Sequence, residues 1–151
     1  MAKRERPDTP LELKVRALRL LARREHSRAE LARKLAPHAE SRQGLEALLD
    51  ELASRRQLSD ERYAEARASS LARKYGAAKI RQDLKAHGVG EAIIERVSNV
   101  GEEERARAIL ARKYRGAAST REETARRARF LQSRGFSYDT IRRALALSDA
   151  E

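Results

Sequence analysis

The feature that most constrains the fold is an internal repeat. The pentapeptide Leu-Ala-Arg-Lys-Tyr occurs twice, at residues 71–75 and 110–114, an offset of 39. Residues 84–89 then resemble residues 131–136 at an offset of 47, which indicates an eight-residue insertion at residues 115–122. The first third of the chain aligns with the second at an offset of 49. A repeat of this length predicts a tandem array in which neighbouring units share their apolar faces.

Each unit has the pattern of three short helices. Apolar residues recur at helical spacing along almost the whole chain, and polar residues suited to helix N-caps interrupt them at short intervals. The predicted caps are Ser27, Ser41, Ser59, Thr120 and Ser137, and Gly88 is expected to end a helix in the left-handed conformation. The sequence therefore predicts an all-α fold: an elongated tandem array of three three-helix repeats, about nine helices in all, forming a right-handed or curved solenoid.

The same pattern predicts the domain boundaries. A first helix is expected from about Leu11 to Glu25, so the charged residues before it are interpreted as a leader. The predicted organisation is a flexible basic leader at 1–10, repeats at 11–57, 58–100 and 101–147, and a short tail at 148–151.

The net charge is +11 and is spread almost evenly over the three thirds of the chain. Such a charge favours a polyanionic partner. Two stretches carry several cations and no acid, one between Glu65 and Asp83 and one between Glu123 and Asp139. The alternative interpretation of each is a solvated helix face. The residues predicted to contact a filament or DNA, on charge alone, are Arg73, Lys74, Lys79, Arg81, Arg126, Arg127 and Arg129.

The sequence carries no pattern typical of an enzyme. It has no cysteine, which excludes thiol catalysis and Cys-based zinc sites. The three histidines, His26, His38 and His87, do not have metal-ligand spacing. Gly88-Val89-Gly90 is too short for a dinucleotide-binding fingerprint and follows a predicted helix. We therefore expect no catalytic residue, metal or cofactor. A charged N-terminus and the lack of a long apolar run predict a cytoplasmic protein without a membrane segment.

Several segments together resemble the RecX family of recombinase regulators. They are the Ser-Arg-x-Glu-Leu-x-x-Lys-Leu segment at 27–35, Leu-Ser-Asp-x-x-Tyr-Ala at 58–64, Tyr75-Gly76 leading into residues 80–89, the second Leu-Ala-Arg-Lys-Tyr, and Arg-Gly-Phe-Ser-Tyr-x-x-Ile at 134–141. The resemblance spans about residues 13–147 and implies a tandem of three-helix units. It also implies a modulator, mainly an inhibitor, that binds the RecA nucleoprotein filament along its groove. We expect the protein to be a monomer and to contact single- or double-stranded DNA directly as well. The resemblance supplies no catalytic signature and no individual contact residues.

Two other functions remain open at this point. Pairs of helices, such as those in residues 27–37 and 41–55, could form helix-turn-helix units that act directly on DNA. Against this, the third-helix segment at 90–99 has Arg96 as its one cation, opposed by Glu91 and Glu95. An inert helical scaffold or an RNA-associated protein is the other possibility, which the low aromatic content neither favours nor excludes. Six aromatic residues and no Trp argue only against base-stacking platforms of the single-strand-binding kind.

Overall fold

The computed structural model describes residues 6–148, and within that range it contains helices and no strand. This confirms the all-α repeat predicted from the sequence. A short 3-10 turn, Ala36–His38, follows the second helix. The α-helices are α1 (Pro10–Arg23), α2 (Arg28–Leu35), α3 (Arg42–Ser54), α4 (Asp60–Leu71), α5 (Ala77–Ala86), α6 (Glu91–Ser98), α7 (Glu102–Lys113), α8 (Arg121–Ser133) and α9 (Tyr138–Ser148).

Polar side chains begin the helices where the sequence predicted them. The hydroxyls of Ser27, Ser41 and Thr120 each accept a hydrogen bond from the backbone N–H three residues later, and Ser59 and Ser137 do the same. These bonds satisfy backbone donors that the first helical turn leaves unpaired. Ser27 and Thr120 are each followed three residues later by a glutamate, which is the spacing of a capping box, but these two glutamates bond to other partners. The carboxylate of Glu30 pairs with Arg24, and that of Glu123 accepts from the Ser119 N–H.

The first helix differs slightly from the prediction. It begins at Pro10, is capped by Thr9 and ends at Arg23, two residues earlier than expected. Of the predicted leader, residues 1–5 lie outside the described residues. The part that is described is attached to the fold, since the Asp8 N–H donates to the His38 carbonyl at 2.8 Å. Residues 149–151 of the predicted tail also lie outside the described residues, so the tail stays a prediction. The predicted boundaries between the repeats stay predictions as well.

The described residues form two compact units. The first contains residues 6–66 and 87–89, and the second contains residues 67–86 and 90–148. Leucines dominate the core of the first unit: Leu13, Leu31, Leu35, Leu45, Leu48, Leu49, Leu52 and Leu58, with Ala17. The core of the second unit around α7, α8 and α9 is Ala106, Ile109, Leu110, Leu131, Phe136, Ile141, Ala144 and Leu145.

Within the first unit, one repeat is joined to residues of the next by hydrogen bonds. A carboxylate oxygen of Asp60, the first residue of α4, accepts from the Arg28 N–H at the start of α2, at 2.7 Å. The Ser27 hydroxyl donates to the His87 carbonyl, also at 2.7 Å. Gly88, the residue after His87, has φ +78°. A side chain at Gly88 would collide with the side chain of Ala29. The predicted left-handed glycine is thus confirmed.

The second unit contains the same junction one repeat later. Glu102, the first residue of α7, accepts from the Ala77 N–H at the start of α5, at 3.2 Å. The Gly76 N–H donates to the Arg134 carbonyl at 2.8 Å. A Cβ at Gly76 would lie 2.6 Å from the carbonyl carbon of Gly135, which has φ +91°. Close backbone contact therefore requires glycine on both sides, and it fixes the turn before α5 against the end of α8.

Candidate functional site

A group of cations gathers in the second unit at the ends of α4, α7 and α8. The two Leu-Ala-Arg-Lys-Tyr copies lie at the ends of α4 and α7. The guanidinium of Arg112, in the second copy, donates to the backbone carbonyl of Arg73, in the first. Segments that are 39 residues apart in the sequence are therefore in direct contact, and each places an exposed lysine, Lys74 or Lys113, beside the bonded arginine.

Aromatic rings lie beneath several of these cations. The ammonium of Lys113 is 3.9 Å from the centroid of the Phe130 ring. The guanidinium of Arg134 is 5.2 Å from the same ring and 5.7 Å from the ring of Tyr75. Tyr114 contacts Phe130 edge to face, with the centroids 6.1 Å apart. Cation–π attraction restricts these flexible side chains, so less conformational entropy is lost when an anion binds them.

We name this group the cation–aromatic cluster. Its cations are Arg73, Lys74, Arg112, Lys113 and Arg134, and its rings are those of Tyr75, Tyr114 and Phe130. The rings are half-buried and already in contact with cations. The arrangement is therefore suited to binding anionic oxygens, such as phosphates, more than to stacking bases.

The predicted site residues are placed differently from one another. Arg73 and Lys74 are exposed in the turn that follows α4, within the cluster. Lys79 is exposed on the first turn of α5, with its aliphatic stem against Gly135. Arg81 is half-buried, and its guanidinium donates to the Asn99 side chain at 2.9 Å. Charge alone in the sequence did not distinguish these environments.

The predicted residues on α8 divide into two kinds. Arg126 and Arg129 are exposed, which leaves them available to a partner. Arg127 is only 7% exposed. Its guanidinium donates to the Gly116 carbonyl at 2.8 Å and lies 4.8 Å from the Tyr114 ring centroid. Arg127 therefore holds the inserted segment against α8 and is not part of the open basic surface.

Arg112, Lys113 and Arg134 are not among the contact residues predicted from charge. A signal for the first two was present, since residues 105–121 are a third acid-free stretch with six cations. The repeated pentapeptide also contained them, but it was interpreted only as evidence of a repeat. That the two copies meet, and that α8 contributes Arg134 and Phe130, depends on tertiary packing and could not be derived from one sequence.

The histidines and acids do not assemble a second kind of site in the part of the chain that the structure describes. No group of three or more His, Asp or Glu residues there could hold a metal ion. His26 is 2% exposed, and burial holds its pKa below the ordinary value. Among the described helices, none is long and apolar enough to cross a membrane.

Comparison with protein families gives three matches in chain order. Residues 14–39 match the model for the first three-helix domain of RecX, residues 59–97 match the second, and residues 101–145 match the third. Together these ranges cover more than half of the chain.

Curated relatives with the same description align over nearly the whole chain. The chain is 46% identical over 141 residues to the regulatory protein RecX of Herbaspirillum seropedicae, covering 91% of this chain and 92% of the relative. It is 44% identical over 147 residues to that of Ralstonia nicotianae, covering 95% and 92%.

Solved structures show the same fold. The crystal structure of RecX from Lactobacillus salivarius superposes with a TM-score of 0.82 at 20% identity, covering 94% of this chain and 97% of the other. A second crystal structure, of a regulatory protein RecX, gives a TM-score of 0.69 at 20% identity, with coverage of 89% and 72%. The α-helical three-domain architecture is therefore shared at low sequence identity.

Proposed function

Because the chain belongs to the RecX family, we propose that it modulates a RecA recombinase, mainly as an inhibitor. It binds the RecA–DNA filament along the filament groove and limits recombinase and coprotease activity. Through this it regulates DNA repair and recombination, including the SOS response. The observation that carries the proposal is the succession of all three RecX domains in one chain. We propose that it acts in the cytoplasm as a monomer and without a catalytic step or cofactor.

The cation–aromatic cluster supports a nucleoprotein partner. A filament presents DNA phosphates at regular intervals, and a cluster of restrained cations binds phosphates with release of counterions. We propose that Arg73, Lys74, Arg112, Lys113 and Arg134 contact the filament, together with the exposed Lys79, Arg126 and Arg129. Arg81 is the weaker candidate because it lies outside the cluster and its guanidinium donates to the Asn99 side chain.

The function is tested by adding the protein in substoichiometric amounts to RecA on single-stranded DNA and measuring ATP hydrolysis and strand exchange. We expect both activities to fall as protein is added. Absence of inhibition at every ratio would rule out an inhibitory role. Binding to duplex DNA with strong sequence preference, and no effect on RecA, would instead favour the helix-turn-helix interpretation.

The site is tested by the double variant Lys74→Glu with Lys113→Glu. Both side chains are exposed, so the fold should tolerate the change. We expect the protein concentration that gives half-maximal inhibition to rise about tenfold. The slope of log affinity against log salt concentration should also become shallower by about 1.4, because two phosphate contacts to a single strand are lost. The matched control is Arg33→Glu with Lys85→Glu, which makes the same change in net charge at exposed positions outside the cluster. If both variants lose inhibition equally, general charge and not the cluster is responsible.

A further inference from the structure

One face of α1 presents apolar side chains to the solvent. Leu11, Val15, Arg19 and Arg23 follow one another at a spacing of four residues and so form a single ridge along the helix. Leu11 is 72% exposed and Val15 is 41% exposed. Large hydrophobic residues this exposed are few among the described residues, and two of them occur here on consecutive turns. A patch of this kind on a helix is typical of an interaction surface.

The repeat fold does not require apolar residues at these positions. The first helices of the three repeats, α1, α4 and α7, can be aligned at their first residues, Pro10, Asp60 and Glu102. This alignment places Val15 opposite Glu65, which is exposed, and opposite Arg107, which is half-buried. The other two first helices therefore carry a charged residue where α1 carries valine. Packing within the repeat does not explain the difference, but a partner specific to α1 would.

A shallow groove of about 480 Å³ runs beside the ridge. Leu11, Val15 and Leu20 contribute its apolar lining. The two acids that line it are already paired, Asp8 with Arg16 at 2.7 Å and Glu12 with Arg6 at 3.0 Å. The hydrogen bond from Arg16 holds the pKa of Asp8 below its ordinary value, and the one from Arg6 does the same for Glu12.

The other end of the groove is positively charged. Arg19 and Arg23 both line it, and neither has a carboxylate partner among residues 6–148 of the structure. The groove is therefore apolar near the start of α1 and cationic near its end. The ridge from Leu11 to Arg23 is about 18 Å long at 1.5 Å per residue, which is the length of a partner helix of about three turns.

We propose that this face of α1 binds an acidic amphipathic helix of a partner protein. The partner helix runs antiparallel to α1, with carboxylates in its first two turns against Arg19 and Arg23 and apolar side chains in its later turns against Leu11 and Val15. Carboxylates in the first turns of a helix are also favoured by its own dipole. Helices that bind in grooves are recognised through such anchors, one or two turns apart. This inference does not depend on the recombinase being the partner.

The experiment uses the full chain and a fluorescein-labelled 16-residue helical peptide with four Glu in its first two turns and four Leu on one face of its last two turns. We expect saturable binding by fluorescence anisotropy. The variant Leu11→Glu with Val15→Glu should weaken it at least tenfold, as should Arg19→Glu with Arg23→Glu. The glutamate at position 15 copies what α4 carries at the equivalent position, so circular dichroism and the thermal midpoint should stay unchanged.

Two control variants test whether any exposed apolar side chain or any exposed cation is sufficient for binding of the peptide. Val100→Glu removes an apolar side chain that is 70% exposed outside α1, and Arg33→Glu removes an exposed cation on α2; both should bind the peptide as the unmodified protein does.

A peptide with the two halves exchanged should bind at least fivefold more weakly. Equal binding of the two peptides, unchanged binding by the α1 variants, or binding to anionic lipid vesicles in place of the peptide would overturn the proposal. Inhibition of RecA is measured separately and can succeed or fail without affecting this result.

Discussion

At the residue scale, His26 shows how burial selects one protonation state. Its Nδ1 lies 3.0 Å from the Arg24 carbonyl and its Nε2 lies 3.1 Å from the Lys34 ammonium. Since a carbonyl can only accept and an ammonium can only donate, the ring must be neutral, with its proton on Nδ1. A second proton on Nε2 would break the bond from Lys34 and place two cations in contact, although Glu30 nearby partly offsets this.

This arrangement predicts a loss of stability in mild acid. The folded-state pKa of His26 is lowered, so the unfolded chain takes up a proton near its ordinary pKa of about 6.5 while the folded chain does not. The free energy of unfolding should therefore be constant at higher pH and fall as the pH decreases below about 6.5, with a slope of at most about 1.4 kcal/mol per pH unit for one proton. Urea unfolding between pH 7.5 and 5 measures this slope.

The comparison for this measurement is His26→Gln, which cannot titrate. Its overall stability will differ, but its pH dependence between 7.5 and 5 should be shallower than that of the unmodified protein. His38 and His87 are present in both proteins and cancel in the difference. Equal slopes would mean that folding does not lower the pKa of His26.

At the scale of single elements, the end of α3 contains an unfavourable residue. The N–H of Arg56 donates to the Ala53 carbonyl and that of Gln57 to the Leu52 carbonyl, which is the Schellman arrangement for ending a helix. This arrangement needs a left-handed residue, and Arg56 has φ +60°. Glycine occupies the equivalent place after α8, where Gly135 is left-handed.

We expect Arg56→Gly to raise the free energy of unfolding by about 1 kcal/mol, since an L-residue in the left-handed region costs about 1–2 kcal/mol and glycine does not. Chemical denaturation measures the change. Arg55→Gly is the matched control, because Arg55 has φ −87° and glycine there should lower stability by about 0.5–1 kcal/mol. A lower stability for Arg56→Gly would show that the arginine side chain makes a compensating contact.

At the scale of the whole molecule, the two repeat junctions contain the same kind of hydrogen bond. At each junction, the first residue of a repeat's first helix has a carboxylate that accepts a hydrogen bond from the preceding repeat. The donor is the backbone N–H of the first residue of that preceding repeat's second helix. The pairs are Asp60 with Arg28 in the first unit and Glu102 with Ala77 in the second. The cap of α2 or α5 is thus supplied in part by the following repeat. This makes each helix start dependent on its neighbour and favours cooperative folding of adjacent repeats.

The junctions predict that Asp60→Ala and Glu102→Ala each lower the free energy of unfolding by about 1–2 kcal/mol, because a buried or half-buried N–H loses its acceptor. The two effects should be close to additive, since the sites share no partner. Glu91→Ala serves as the control, because Glu91 is an exposed first-turn acid of α6 and its loss should cost about 0.5 kcal/mol or less. Equally small effects at all three positions would show that the junction bonds are replaced by water.

One sequence is sufficient to predict the helical class, the three-part repeat, most helix starts and the family. These depend on local patterns: apolar spacing, hydroxyl caps and glycine at helix ends act within a few residues. The cation–aromatic cluster was decided by tertiary structure, since Arg112 meets the Arg73 carbonyl only when α7 packs beside the turn after α4. The same holds for Arg127, which looked like its exposed neighbours in the sequence but is buried against Tyr114. Charge is a property of the residue, whereas its availability to a partner is a property of what packs around it.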